Sequence, residues 1–340
     1  VTLVETDQAG TETSAVADDV LVVEDLRVYY DAREGLVKAV DGVSFTLRQG
    51  QRLALVGESG SGKSTLATAL MGMTKAPGRV HGGHVYLAGR DLMALNRRDM
   101  RMTRLSEIAL VPQGAMNSLN PVIRVQKQIA DGIVDHAKDE KPTKGELNDR
   151  VQELLRNVGL PSSVARMFPH ELSGGMKQRV VMAIATSLSP QLIVADEPTS
   201  ALDVVVQRQI METLGQLQEG LHASVILIGH DMGLVAQFAD IIGIMYAGKL
   251  VEVGPVEAIF EDPQHPYTQL LIQSLPSFNH RLKSSGIPGL PPMLLNLPAG
   301  CSFNPRCPFV MDTCRVDEPV LREVRPGRLA SCHLFEGDEE

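Results

Sequence analysis

The chain has 340 residues, 44% of them hydrophobic and 21% charged, with a net charge of −9 and a pI near 5.5. That length predicts about two domains and enough apolar side chains for a core, and the acidic balance argues against a large basic field for nucleic acid. No apolar run approaches the roughly 18 residues of a membrane span, and the start of the chain lacks the charged-then-apolar pattern of a signal peptide, so a soluble, intracellular protein is expected.

Residues 1–19 are polar and read as a disordered tail, as does the acidic stretch Glu336–Glu340. Between residues 20 and 56 the runs Val20–Val23, Leu26–Val28 and Val43–Leu47 alternate apolar and polar and are punctuated by Gly35, Gly42 and Gly50. They predict short antiparallel strands. Tyr30 ends one of these runs, where its ring could stack on an adenine; Tyr29 is its rival.

The apolar run Leu53–Val56 then leads into Gly57-Glu58-Ser59-Gly60-Ser61-Gly62-Lys63-Ser64-Thr65. This fits the phosphate-loop pattern G-x-x-x-x-G-K-[ST] in full, between a predicted strand and a predicted helix over 66–71. Glycines let several N–H groups turn toward one anion, and the helix that follows adds its free N-terminal donors. Lys63 is placed to reach β- and γ-phosphates and the Ser64 hydroxyl to hold Mg²⁺.

Further along, Ile108–Val111 reads as a buried strand that ends at Pro112-Gln113. The Gln113 amide can offer its oxygen to Mg²⁺ and its NH₂ to a water. Residues 122–170 are expected to be helical, with a core stripe at Leu147, Val151, Leu154, Leu155 and Val158 that Gly159 stops. Ser173, Gly174 and Gly175 open another helix and form a second anion-binding start. Lys63 already has its own loop, so the ligand of this second start is different or sits on another polypeptide.

Leu192–Ala195 is a buried strand that ends in Asp196 and Glu197. Strand alternation is expected to send the two carboxylates to opposite sides. Asp196 then serves Mg²⁺, and Glu197 accepts a proton from a water attacking the γ-phosphate. Ser200–Asp203 follows as a loop and helix start, and the run Ser224–Ile228 leads to His230, a phosphate sensor at the same sheet edge. A hairpin is predicted over 240–253, turning at Ala247-Gly248. Prolines 276, 288, 291, 292 and 298 mark a linker.

Taken in order, the Lys63 loop, Gln113, Leu172–Met176, Asp196-Glu197, Ser200–Asp203 and His230 resemble the Walker A, Q-loop, signature, Walker B, D-loop and H-switch motifs of an ABC transporter nucleotide-binding subunit. The resemblance covers about residues 20–260. Met176 departs from the glutamine that many members carry there. The stretches Ser118–Pro121, His265–Thr268, Ser274–Pro276 and Gly300–Pro308 resemble the dipeptide/oligopeptide/nickel importer branch.

The resemblance implies an α/β P-loop NTPase with an antiparallel β subdomain, a helical signature subdomain at about 114–190 and a cassette over 20–275. A linker at 276–299 and a cysteine-rich region at 300–340 follow. It implies ATP and Mg²⁺, with a second ABC ATPase subunit closing head to tail so that Ser173 and Gly175 meet the γ-phosphate held by the partner; Gly174 and Asp203 are further expected nucleotide-binding residues. That second subunit is expected to be a non-identical chain, a homodimer being the alternative. Two transmembrane permease subunits would be met around 114–130, a solute-binding protein would take part indirectly, and the chain would sit at the cytoplasmic face of the membrane. Peptides are the expected cargo, with oligosaccharides or nickel as alternatives. A soluble ABC ATPase acting on ribosomes or nucleic acid is set aside because the chain has one cassette, no coiled-coil run and net negative charge. A dead regulatory site is set aside because Lys63, Gln113, Glu197 and His230 are all present.

Cys301, Cys307, Cys314 and Cys332 are the four cysteines. They lack the C-x-x-C spacing of a zinc ribbon. Four thiolates suit tetrahedral Zn²⁺ or a cubane iron–sulfur cluster, and free or disulfide-bonded cysteines are the other readings. The family resemblance adds weight to a [4Fe–4S] cluster.

Overall fold

The computed structural model describes residues 18–114, 118–137, 141–275 and 286–335. The expected tail (save Asp18 and Asp19), the acidic Glu336–Glu340 stretch, residues 276–285 of the expected linker and residues 115–117 of the segment expected to meet the permease lie outside the described residues. The described residues fall into two compact units. The first takes in residues up to Leu47, Leu53–Met93 and the chain from Gly229 onward; the second takes in Arg48–Arg52 and Ala94–Ile228.

In the first unit, strands β1 (Asp19–Ala32), β2 (Gly35–Arg48), β4 (Gly78–Leu87) and β5 (Arg90–Asp91) form a four-stranded sheet in the order β2-β1-β4-β5. The alternation of Leu21, Val23, Leu26 and Val28 buries one face of β1. Two short strands are expected here, yet the chain makes one long strand. Asp25 takes a left-handed φ of 44° where the pairing with β4 shifts register, so a bulge absorbs what reads as a break.

The same unit holds the strand run β11 (Arg322–Arg325), β12 (Arg328–Ala330), β10 (Lys249–Pro255), β9 (Ile241–Tyr246) and β3 (Arg52–Val56), in that order. β3 and β9 pair in parallel, and their apolar residues are buried throughout, the pattern of strands covered on both faces. β9 turns into β10 through Ala247 and Gly248, with φ of 49° and 85°, the paired positive values of a tight hairpin turn. β12 of the cysteine-rich region pairs with β10 of the cassette. Helices α1 (Lys63–Leu70), α7 (Met232–Phe238), α8 (Val256–Glu261) and α9 (Pro266–Gln273) complete the unit.

The second unit contains the parallel strands β6 (Ile108–Val111), β7 (Leu192–Asp196) and β8 (Ser224–Ile228), with β7 in the middle. Its helices are α2 (Arg97–Thr103), α3 (Val125–His136), α4 (Lys144–Asn157), α5 (Gly174–Ala185) and α6 (Val204–Leu221). A reciprocal cap between Thr143 and Glu146 starts α4. Its stripe Val151, Leu154 and Leu155 is buried together with Val158, and Gly159, at φ 68°, ends the run.

Candidate nucleotide site

The phosphate loop is built by the first unit. β3 delivers the chain to Gly57, and α1 begins at Lys63 with Gly62 as its N-cap, φ 105°. A Cβ on Gly62 would stand 2.0 Å from the Ala39 carbonyl oxygen, and one on Gly57 would stand 2.1 Å from that of Met245. Neither position admits a side chain without moving backbone. The hairpin turn braces the loop, because the Gly248 N–H donates to the Ser61 carbonyl at 3.0 Å. Lys63 is buried, and its Nζ lies 2.8 Å from the Gly57 carbonyl, 2.9 Å from that of Glu58 and 3.2 Å from Ser61 Oγ. Ser59 and Gly60 are exposed at the loop tip, and Ser64 and Thr65 occupy the first turn of α1.

Of the two tyrosines, Tyr29 is already engaged. Its hydroxyl donates to Asp41, and its ring stacks on His81 at 4.7 Å. Burial first, and the Asp41 bond second, push its pKa up to about 12. Tyr30 is half-buried and covers Gly78, where an added Cβ would come within 2.6 Å of the ring. His230 is exposed, just beyond β8. The Gly229 N–H beside it donates to the Leu55 carbonyl of β3 at 3.2 Å, which holds the histidine segment against the strand that feeds the phosphate loop.

The carboxylates Asp196 and Glu197 lie in the second unit. Asp196 is buried at the end of β7. The expectation that strand alternation separates the two acids needs correcting: β7 ends at Asp196, and Glu197 takes φ 44°. A left-handed step, not pleating, redirects its side chain. The Gln113 Nε2 then donates to Glu197 Oε2 at 2.6 Å, so β6 and β7 bring these two together. Ser173 caps α5, its hydroxyl accepting from the Met176 N–H at 3.3 Å. Asp203 caps α6 through the N–H groups of Val205 and Val206. The two helix starts meet at Gly175, where a Cβ would lie 2.6 Å from Val206 Cγ1. Gly175 is therefore the residue that lets α5 approach α6.

All four cysteines line one small cavity of about 10 Å³, together with Phe303 and His265. None is in a disulfide. Burial pushes the Cys301 thiol up to about 11 and the Cys332 thiol up to about 12, with other cysteines of the set adding to both shifts. Among the described residues, no group of three or more His, Cys, Asp or Glu stands in a metal-holding arrangement. The donor set itself, four soft sulfurs around one apolar-walled space, is of the kind that takes a thiophilic metal group.

Sequence reasoning misses Glu58 and Arg306. Glu58 fills an unspecified position of the loop pattern, and Arg306 sits between two cysteines, so no spacing rule singles out either. Arg306 is buried and bonds the Glu58 carboxylate at 2.6 and 2.9 Å. The burial of Arg306 is visible only in the fold, and nothing in the sequence around either residue points to the pair.

Residues 40–200 match the family described as ABC transporter, and residues 251–314 match the oligopeptide/dipeptide transporter C-terminal region. The dipeptide transport ATP-binding protein DppD of Escherichia coli K12 is 42% identical over 316 residues, 92% of this chain and 96% of that protein. The oligopeptide transport ATP-binding protein OppD of Salmonella typhimurium is 42% identical over 332 residues, 96% of each. Among solved structures, the dimeric post-hydrolysis state of the cassette MJ0796 bound to ADP and Pi superposes with a TM-score of 0.63 at 26% identity, covering 69% of this chain and 98% of that one.

Proposed function

Since the chain belongs to the ATP-binding subunit family of ABC dipeptide and oligopeptide transporters, we propose that it hydrolyses ATP to drive peptide uptake through a membrane permease. The observation that carries the cargo assignment is the match of both regions, the cassette and the oligopeptide/dipeptide C-terminal region, to relatives that align over nearly their full length. Oligosaccharide and nickel import are the readings it displaces.

The chemistry follows from the side chains. Lys63 binds the β- and γ-phosphates. Glu197 takes the proton of the attacking water, and the Gln113 amide holds that carboxylate in place. His230 contacts the γ-phosphate. Ser64, Asp196 and the Gln113 oxygen would hold Mg²⁺, which neutralises charge on the phosphate oxygens. Tyr30 stacks on the adenine, since Tyr29 is already engaged.

Ser173, Gly174, Gly175 and Asp203 are assigned to the nucleotide held by a facing ATPase subunit, a related chain. Val204 and Val205, next to Asp203, are 80% and 68% exposed, and such apolar exposure supports a covering partner there. Two permease subunits dock around 114–130 and hold the protein at the cytoplasmic face. Among the described residues no helix is long and apolar enough to cross a membrane. A solute-binding protein acts only through the permease.

Cys301, Cys307, Cys314 and Cys332 would hold a [4Fe–4S] cluster with a structural role. Its support is the shared cavity and the four-sulfur donor set. Co-purification of the full complex, with ATPase measured over a panel of peptides, sugars and Ni²⁺, tests the assignment. Peptide stimulation is expected. Stimulation by sugar or nickel alone would overturn the cargo, and no ATPase activity at all would overturn the rest.

A further inference from the structure

Residues 286–306 lie across the phosphate loop. The Lys38 N–H donates to the Leu294 carbonyl at 3.3 Å, and residues 291–295 share with Glu58–Ser61 the walls of a cavity of about 430 Å³. The firmest link is Arg306. Its side chain is 4% exposed, and its guanidinium forks onto both oxygens of Glu58, at 2.6 and 2.9 Å. Its Nε donates to the Pro288 carbonyl at 2.8 Å and its Nη1 to the Tyr246 hydroxyl at 3.2 Å. A planar fork on a carboxylate fixes direction as well as distance.

Glu58 is held at three points. Its carboxylate takes Arg306, its N–H donates to the Tyr267 hydroxyl at 2.8 Å, and its carbonyl accepts from Lys63 Nζ at 2.9 Å. One residue therefore joins the cysteine-rich turn to the phosphate-binding lysine. The turn that carries Arg306 is stiff. The Asn304 amide spans the Ala299 and Cys301 carbonyls at 2.8 and 2.9 Å, and the Phe303 ring packs edge-on against Tyr246 at 5.2 Å.

We propose that Arg306 is a positioning residue for nucleotide binding: through Glu58 it sets the conformation of the phosphate loop and the reach of Lys63, so that the cysteine-rich region governs ATP affinity. The inference uses only ATP binding by this family and stands whatever the cargo and whatever the cysteines hold.

The test uses the full-length subunit. MgATP binding is measured by titration calorimetry on the wild type and on Arg306→Ala, Arg306→Lys, Glu58→Gln and the double variant Arg306→Ala/Glu58→Gln, each with a thermal melt. Losing a charged, buried fork is expected to raise Kd about tenfold in Arg306→Ala. Arg306→Lys keeps the charge without the fork and is expected to fall between it and the wild type. The double variant is expected to bind no worse than the weaker single variant, since both changes cut one link. In the assembled transporter, KM for ATP rises while kcat stays within about twofold. A purely structural anchor would lower the melting temperature and leave Kd unchanged, and that result overturns the proposal. Additive losses in the double variant also overturn it. Should Arg306→Ala fail to fold, unchanged Kd in Arg306→Lys and Glu58→Gln is the refuting outcome.

Discussion

Two glycines of the phosphate loop separate backbone preference from crowding. Gly60, at φ 79°, has no atom within 4 Å of where a Cβ would be; Gly62, at φ 105°, has the Ala39 carbonyl oxygen at 2.0 Å. Gly60→Ala therefore carries only the left-handed penalty, roughly 1–2 kcal/mol. Gly62→Ala carries that penalty and an overlap with backbone that a rotamer change cannot relieve, roughly a further 1–3 kcal/mol. At about 2–4 °C per kcal/mol for chains of a couple of hundred residues, Gly62→Ala is expected to melt about 2–12 °C below Gly60→Ala. Calorimetric melts of both purified variants, with urea midpoints as a second measure, give the comparison. MgATP titration of Gly62→Ala is expected to show at least about a tenfold loss, because relieving the overlap drags Lys63 out of register. Equal melts for the two variants, or wild-type ATP affinity in Gly62→Ala, would refute the argument that close approach to β2 is what demands glycine there.

Glu197→Gln is expected to keep nucleotide binding while ATP turnover in the assembled transporter drops by a hundredfold or more; turnover near wild type would remove the proton-accepting role. Anaerobically purified protein is expected to carry about four iron and four sulfide per chain, both lost in Cys301→Ser; bound zinc without sulfide would replace the cluster by a single ion. His265 is buried, and burial holds its pKa down at about 3, while its Nδ1 accepts from the Tyr267 N–H at 3.0 Å. The unfolded chain takes up that proton near pH 6.5 and the folded chain does not, so its contribution is complete above about pH 6.5 and drains away as pH falls toward 3. His265→Asn keeps an acceptor and is expected to flatten the stability slope between about pH 6.5 and 5, above most carboxylate titrations, as read by urea midpoints at several pH values; an unchanged slope would show that the histidine is not responsible.

The phosphate loop is legible because it is a local code: glycines at positive φ, then lysine and serine at a helix start, all within nine residues of chain. The caps at Ser173 and Asp203 are legible for the same reason. The Glu197 geometry is not, because a single left-handed residue after β7 decides it and a glutamate gives no hint of that conformation. Tyr29 and Tyr30 cannot be told apart by position, since what separates them is a hydroxyl bond to Asp41 and a ring stack on His81. The Glu58–Arg306 link spans 248 positions, and nothing local in either neighbourhood requires it. Pairings of that range belong to the tertiary fold and are invisible to pattern and propensity.

Because β12 lies along β10, with Glu252 opposite Ala330 and Val253 opposite Leu329, trimming the chain to a minimal cassette is not a neutral step. A product cut before residue 300 would bare the edge of β10 and its row of unsatisfied amides, inviting strand-to-strand aggregation. Truncated preparations would then under-report the protein's solubility for reasons unrelated to its chemistry.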